Sequence, residues 1–316
     1  MIISLNPTYL CNFRNGKCAK TCYLTADQLA SESVLDLEVL KKKVLEVKEE
    51  CGLDHIDLYG GEITLLPDSY QFELASFLTT LNCSVNVVTN YSRPDSIILT
   101  SPLTNGFDIS VSWDYTARQG WSKVLKNMQE TKRPFAILSL ASPEFARHDP
   151  EDFFEIIAKL ENLICFEIKP YSQNQSNSYS FGHKDYEKLV QKYIEVYERR
   201  KYPFMFTNIE LLKDSLAKEK VSWSDEHLYL NPRGEWCVLD FDDKGREYFH
   251  KVFDLAGFKK WEENEKRHFK LDPVCSKCSF LGHCLSEHLR PIVNFESEGC
   301  SGYRGLIEWY DERRLR

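Results

Sequence analysis

The sequence predicts an α/β protein: a parallel β-sheet built from strand–helix units over the first two thirds, then a smaller, loop-rich C-terminal part containing a β-hairpin. Three observations point there. β-type and helical runs alternate from Ile2 to Arg200, the alternation ends near residue 202, and cysteines crowd at two places, Cys11 to Cys22 and Cys275 to Cys300. Strands alternating with helices at this interval imply right-handed βαβ units, either in an open doubly wound sheet or in an incomplete barrel. Both architectures carry reactive residues at the carboxyl ends of strands.

The elements follow in order. "IISLNP" (2–7) is a β-type run that stops just before the first cysteine. "SVLDLEVLKKKVLEVKEECG" sets Val34, Leu37, Leu40, Val44 and Val47 at helical spacing and closes on Gly52. "HIDLYGGE" is a strand running into a double glycine, and "SYQFELASFLTTL" is a helix. "SVNVVTN" and "FDISVSWD" are strands, and "GWSKVLKNMQET" is a helix. "PFAILSLAS" and "ICFEIKPYS" are strands, each followed by a helix, "PEDFFEIIAKLENL" and "HKDYEKLVQKYIEVYERR". "YPFMFTN" adds a short strand, and "YLNPRGEWCVLDFDDKGREYF" reads as a hairpin turning at Pro232 and Gly234. The domain boundary falls between Tyr202 and Trp223, giving units 1–210 and 211–316. "YSQNQSNSYSFG" (171–182) is a polar loop leaving the sixth strand at the reactive rim.

A chain of 316 residues with 42% hydrophobic and 28% charged residues is an ordinary globular protein. Its net charge of −8 argues against nucleic-acid binding. The N-terminus lacks a signal peptide, and no apolar run is long enough to span a bilayer, so the expected location is cytoplasmic, with no membrane partner. Eleven cysteines, an odd number, are then better explained by cofactor ligation where they cluster and by burial where they stand alone, as at Cys51, Cys83 and Cys165.

Cys11, Cys18 and Cys22 form C-x6-C-x3-C in the loop after the first strand. Three thiolates without a fourth suit structural zinc poorly, because that ion is closed by four ligands. A four-iron cluster held by three cysteines would keep one iron open. In "GGEITLLP", after the second strand, glycines allow close backbone approach and the carboxylate of Glu62 suits an ammonium group. "CSKCSFLGHC" and "EGCSGY" supply Cys275, Cys278, Cys284 and Cys300, four thiols that fit zinc or a four-iron cluster.

A three-cysteine loop after strand one and Gly-Gly-Glu after strand two resemble the radical S-adenosylmethionine (radical SAM) enzymes, and the later cysteines resemble their SPASM or twitch extension. The resemblance implies a partial (β/α)6 TIM-like barrel with a smaller C-terminal iron–sulfur domain. It implies Cys11, Cys18 and Cys22 as ligands of a [4Fe-4S] cluster whose open iron binds S-adenosylmethionine. Gly60, Gly61 and Glu62 would then hold the methionine amino group, Ser112 its carboxylate, with Ser110 and Asn90 weaker candidates, and Tyr23 the adenine side. Glu167, Lys169 and Tyr171 would lie within reach of adenine, ribose or substrate. The spacing departs from the family's C-x3-C-x2-C, Thr21 stands where an aromatic residue is usual, and Ile63 replaces a proline. The segment 12–17 is therefore expected to bulge outward.

Cys275, Cys278, Cys284 and Cys300 match the ligands of one auxiliary [4Fe-4S] cluster. His288 stands where another ligand cysteine belongs, and the hairpin supplies only Cys237, so one auxiliary cluster is expected and not two. The implied activity is reductive cleavage of S-adenosylmethionine and hydrogen abstraction from a ribosomally made peptide, or else from a sugar or aminocyclitol. Implied partners are a flavodoxin or ferredoxin as reductant and, since the chain begins at strand one, a separate leader-recognition protein unless the barrel itself reads the peptide. The reading from another class is a zinc-stabilised α/β binding protein without catalysis.

Overall fold

Strand β1 (Ile2–Leu5) buries Ile3 and Leu5 completely and is flanked in parallel by β2 (His55–Leu58) and by β8 (His227–Leu230). The computed structural model describes residues 1–15, 18, 21–170, 181–219, 227–242, 247–284, 300 and 303–315. From β2 the sheet continues in parallel through β3 (Ser84–Thr89), β4 (Asp108–Ser112), β5 (Phe135–Leu140), β6 (Leu163–Lys169) and the short β7 (Met205–Phe206). On the far side of β1, β8 turns through 231–235 into β9 (Trp236–Asp242), and β9 pairs antiparallel with β10 (Glu247–Val252). The order is β10-β9-β8-β1-β2-β3-β4-β5-β6-β7. The expected partial barrel is present.

Within the described residues the helices between strands are α1 (Ala26–Ala30), α2 (Leu37–Cys51), α3 (Asp68–Thr79), α4 (Ile97–Thr100), α5 (Trp121–Glu130), α6 (Pro150–Ile157), α7 (His183–Arg200) and α8 (Thr207–Ala217). Their ends obey local chemistry. Asp36 caps α2 by accepting from the Val39 N–H at 3.0 Å, and Gly52 ends it at φ +73°. Helix α2 buries Leu40, Val44 and Val47, worth about 2 kcal/mol each in area removed from water. Asp149 caps α6, where Pro150 sits at the first turn and costs no hydrogen bond.

Successive side chains point to opposite faces of the sheet. Ile56 and Leu58, Val85 and Val87, Ile109 and Val111, and Phe166 and Ile168 are buried. Alternate positions carry Asp57, Asn86 and Ser110, which join across the strands: Asn86 Nδ2 donates to Asp57 at 2.9 Å, and Ser110 donates to Asn86 Oδ1 at 2.9 Å. This interior face is polar, unlike the aliphatic filling of a closed barrel.

The C-terminal part differs from expectation in two respects. The stretch read as one hairpin is a three-stranded meander that extends the barrel sheet, because β8 lies in register with β1 (Ser4 opposite Tyr229). The part read as loop-rich also contains α9 (Leu255–Leu271) and α10 (Arg304–Arg314), with Leu306, Ile307 and Tyr310 of α10 buried. No helix among the described residues is long and apolar enough to cross a membrane.

Candidate metal centre

The double glycine ends β2 against the start of the cysteine loop. The Gly61 N–H donates to Thr8 O and the Glu62 N–H to Leu10 O, both at 2.9 Å. A Cβ on Gly60, which sits at φ +147°, would lie 2.3 Å from Thr8 O, and one on Gly61 would lie 2.2 Å from Tyr9 O. Two backbones therefore touch where only glycine fits. Sequence reasoning assigned these glycines to ligand approach; the loop itself occupies the space their missing side chains leave.

Glu62 is fully buried, and its carboxylate is committed within the protein. Oε1 accepts from the Thr64 N–H (3.2 Å), the Thr64 hydroxyl (2.7 Å) and the Thr89 hydroxyl (2.7 Å), and Oε2 accepts from the Asn90 N–H (2.7 Å). Burial raises its pKa, and these four hydrogen bonds oppose the rise.

Above this scaffold, at the carboxyl ends of the strands, lies a cavity of about 310 Å³. Cys11, Cys18 and Cys22 line it together with Gly60, Gly61, Asn90, Ser112 and Tyr23. Glu62 does not border it. Ser110 lies deeper in the barrel, bonded to Asn86. Asn90 donates from Nδ2 to Asn12 Oδ1 at 2.8 Å, with Cys11 Sγ at 3.9 Å. Lys169 borders the cavity and pairs with Glu167 at 2.9 Å. Tyr171 and His288 lie outside the described residues, as do positions 16 and 17 of the expected bulge. In the described part of that segment Phe13 turns inward, is buried and borders the cavity.

The sulfurs receive backbone and side-chain donors. Phe13 N–H points at Cys11 Sγ and Leu24 N–H at Cys22 Sγ, each at 3.4 Å. Burial pushes Cys11 and Cys22 up to about 12, and it also raises Cys18, whose rise the Arg118 guanidinium counters. Such thiols stay protonated unless a cation or metal draws the proton off.

Sequence reasoning missed Arg118. It follows β4 in "DYTARQG", which carries no recognisable motif, and only the fold brings it to the cavity.

The second cysteine group forms at the end of α9. Asp272 Oδ1 accepts from the Val274 and Cys275 N–H groups at 2.8 Å each, and a tight turn follows at Cys275–Lys277. Phe280 N–H donates to Cys278 Sγ at 3.4 Å. Burial pushes Cys275 up to about 12, aided by Asp272 and by nearby Cys300 and Cys284. Cys237 is buried in β9 and accepts from Asn231 Nδ2 at 3.4 Å. Cys51, Cys83 and Cys165 are half-buried rather than core thiols. Among the described residues no three His, Cys, Asp or Glu side chains gather tightly enough to hold a single metal ion.

Neither a protein-family model nor a curated protein matches the chain. Solved structures do. Native anSMEcpe with bound AdoMet and Cp18Cys peptide superposes with a TM-score of 0.71 at 17% identity, over 99% of this chain and 97% of that one. The chain shares the fold of anSMEcpe. Streptococcus suis SuiB bound to S-adenosylmethionine shares that fold with a TM-score of 0.63 at 13% identity, over 96% of this chain and 75% of SuiB. SuiB bound to its precursor peptide SuiA gives 0.62 at 13% identity, over 96% and 74%. Within this fold, the cavity described above stands at the carboxyl rim of the partial barrel.

Proposed function

We propose that this chain is a radical SAM enzyme that modifies a ribosomally made peptide by crosslinking, thioether formation or epimerisation. The observation that carries the reading is the convergence of Cys11, Cys18 and Cys22 on one cavity with Gly60, Gly61, Asn90 and Ser112. The thiols fit a [4Fe-4S] cluster: they come from one loop, are largely withdrawn from solvent and receive N–H donors at sulfur. When bound and reduced, such a cluster supplies the electron that cleaves S-adenosylmethionine to methionine and a 5′-deoxyadenosyl radical, which takes hydrogen from the substrate.

The protein's own residues bind and orient. Cys11, Cys18 and Cys22 would hold the cluster, three thiolates for four irons. The backbone of Gly60 and Gly61 borders the cavity where the methionine amino group would lie, while Glu62's side chain keeps that backbone in position. Ser112, with Asn90, offers polar atoms for the carboxylate, and Tyr23 an aromatic wall for adenine. The unit 211–316 would hold one auxiliary [4Fe-4S] cluster on Cys275, Cys278, Cys284 and Cys300. A peptide is favoured over a sugar or aminocyclitol because similar folds were solved with a Cp18Cys peptide and with a precursor peptide. A cytoplasmic flavodoxin or ferredoxin would deliver the electron.

The test is anaerobic purification followed by addition of reductant and S-adenosylmethionine. Brown protein that releases 5′-deoxyadenosine, and a Cys11→Ala variant that does not, are the expected results. Colourless protein with stoichiometric zinc would overturn the reading.

A further inference from the structure

Arg118 is a buried cation aimed at a cysteine. Its side chain is 13% exposed, Nη1 lies 3.6 Å from Cys18 Sγ, and the residue borders the cavity. Asp114, 8% exposed, holds the guanidinium from behind: Nε and Nη2 each lie 3.0 Å from Oδ2. The other carboxylate oxygen of Asp114 accepts the Leu140 N–H at 2.6 Å, which anchors the pair to the end of β5. Asp114 and Arg118 bracket a single turn at Tyr115–Ala117, so the arrangement is local. Cys11 and Cys22 receive backbone N–H donors at sulfur, whereas at Cys18 the described donor is a full positive charge.

We infer that the Asp114–Arg118 pair is a positioning and potential-setting device for the cluster proposed above, with Arg118 donating a charge-assisted hydrogen bond to the Cys18 thiolate. Charge and hydrogen bonds at ligand sulfurs set the reduction potential of an iron–sulfur centre. A fixed cation in a site shielded from solvent stabilises the reduced, more negative state, and the carboxylate behind it moderates that effect. Burying one member without the other would leave an uncompensated charge. The sequence places both partners in the loop after β4, and the fold carries that loop to the cysteine loop, 100 residues away.

The inference rests on the cluster reading, and its test separates the two. Reconstituted protein is titrated anaerobically in the absence of S-adenosylmethionine and followed by electron paramagnetic resonance. The signal that changes when S-adenosylmethionine is later added identifies the cluster of the three-cysteine loop. Arg118→Gln should shift its midpoint to lower potential, and Asp114→Asn should shift it to higher potential. Opposite signs are the signature, since a pair that only braced the turn would produce none. An unchanged midpoint in a variant that keeps its iron, or shifts of the same sign, would overturn the inference while leaving the cluster reading intact. If Arg118→Gln fails to retain iron, Asp114→Asn alone decides by the presence or absence of the upward shift. Parent protein that takes up no iron would instead remove the underlying reading.

Discussion

Glu62 accepts the Asn90 N–H at 2.7 Å, so one buried carboxylate ties the end of β2 to the end of β3 directly beneath the cysteine cavity. With Thr64 and Thr89 on its other oxygen, it serves four donors. Glu62→Ala should strand them in the interior and destabilise the fold by about 3 kcal/mol. Glu62→Gln, which keeps an acceptor, should cost less. Urea unfolding of the two variants checks the order; equal stability of Glu62→Ala and the parent would refute it.

Gly61 meets the backbone of Tyr9 and Leu10, with carbonyl oxygens 2.2 and 2.3 Å from where a Cβ would sit. Neither neighbour is a flexible side chain that can swing aside. Gly61→Ala should therefore push the loop off the β2 end, lowering stability by about 2–3 kcal/mol and reducing iron uptake at the first site. Thermal denaturation and iron analysis measure both.

None of the four later cysteines borders the cavity of Cys11, Cys18 and Cys22, so the metal contents of the two groups should separate. Parent protein should hold about eight iron atoms per chain, and Cys18→Ala and Cys278→Ala about four each. Only Cys18→Ala should abolish 5′-deoxyadenosine formation outright. Loss of all iron in both variants would contradict independent sites.

Inside the barrel, His55 Nε2 lies 3.2 Å from Asp57 Oδ1. The hydrogen bond donated to Asp57 raises His55, against burial, and Asp108 adds to the rise. Burial pushes Asp57 up, but hydrogen bonds from His55 and Asn86 and the charges of His55 and His227 hold it below the usual carboxylate range. The His55 contribution is complete below its unfolded value, about pH 6.5, and is lost as pH rises through the higher folded value. The Asp57 contribution is present above its unfolded value, about pH 4, and is lost as pH falls through the lower folded value. Stability should thus peak between these limits. His55→Gln should flatten the decline on the alkaline side, as read by urea midpoints at about pH 6 and pH 8.5. An equally steep decline in the variant would exclude the pair as its source.

The strand–helix series was legible because each element announces itself over a few residues: alternating burial in Ser84–Thr89, a 3.6-residue stripe in Leu37–Cys51 closed by Gly52. The hairpin turn at Pro232 and Gly234 was legible for the same reason. What β8 pairs with was not, because its partner β1 lies more than two hundred residues earlier and neither strand carries a signal for the other. Helix α9 was obscured by the cysteines after it, which drew the reading toward loops.

The candidate site divides in the same way. By itself the sequence determined that Cys11, Cys18 and Cys22 fall in one loop after a strand and that two glycines end the next strand, since spacing and residue type are local properties. Only the tertiary structure decided that Glu62 turns its carboxylate away from the cavity into Thr64, Thr89 and Asn90. It alone brought Arg118 onto Cys18. Both outcomes depend on hydrogen bonds and charges between segments distant in the chain, where burial makes each unpaired group costly and so selects one arrangement. The crowded loop at Cys11 therefore has its function suggested by spacing and its electrostatic setting supplied by the fold.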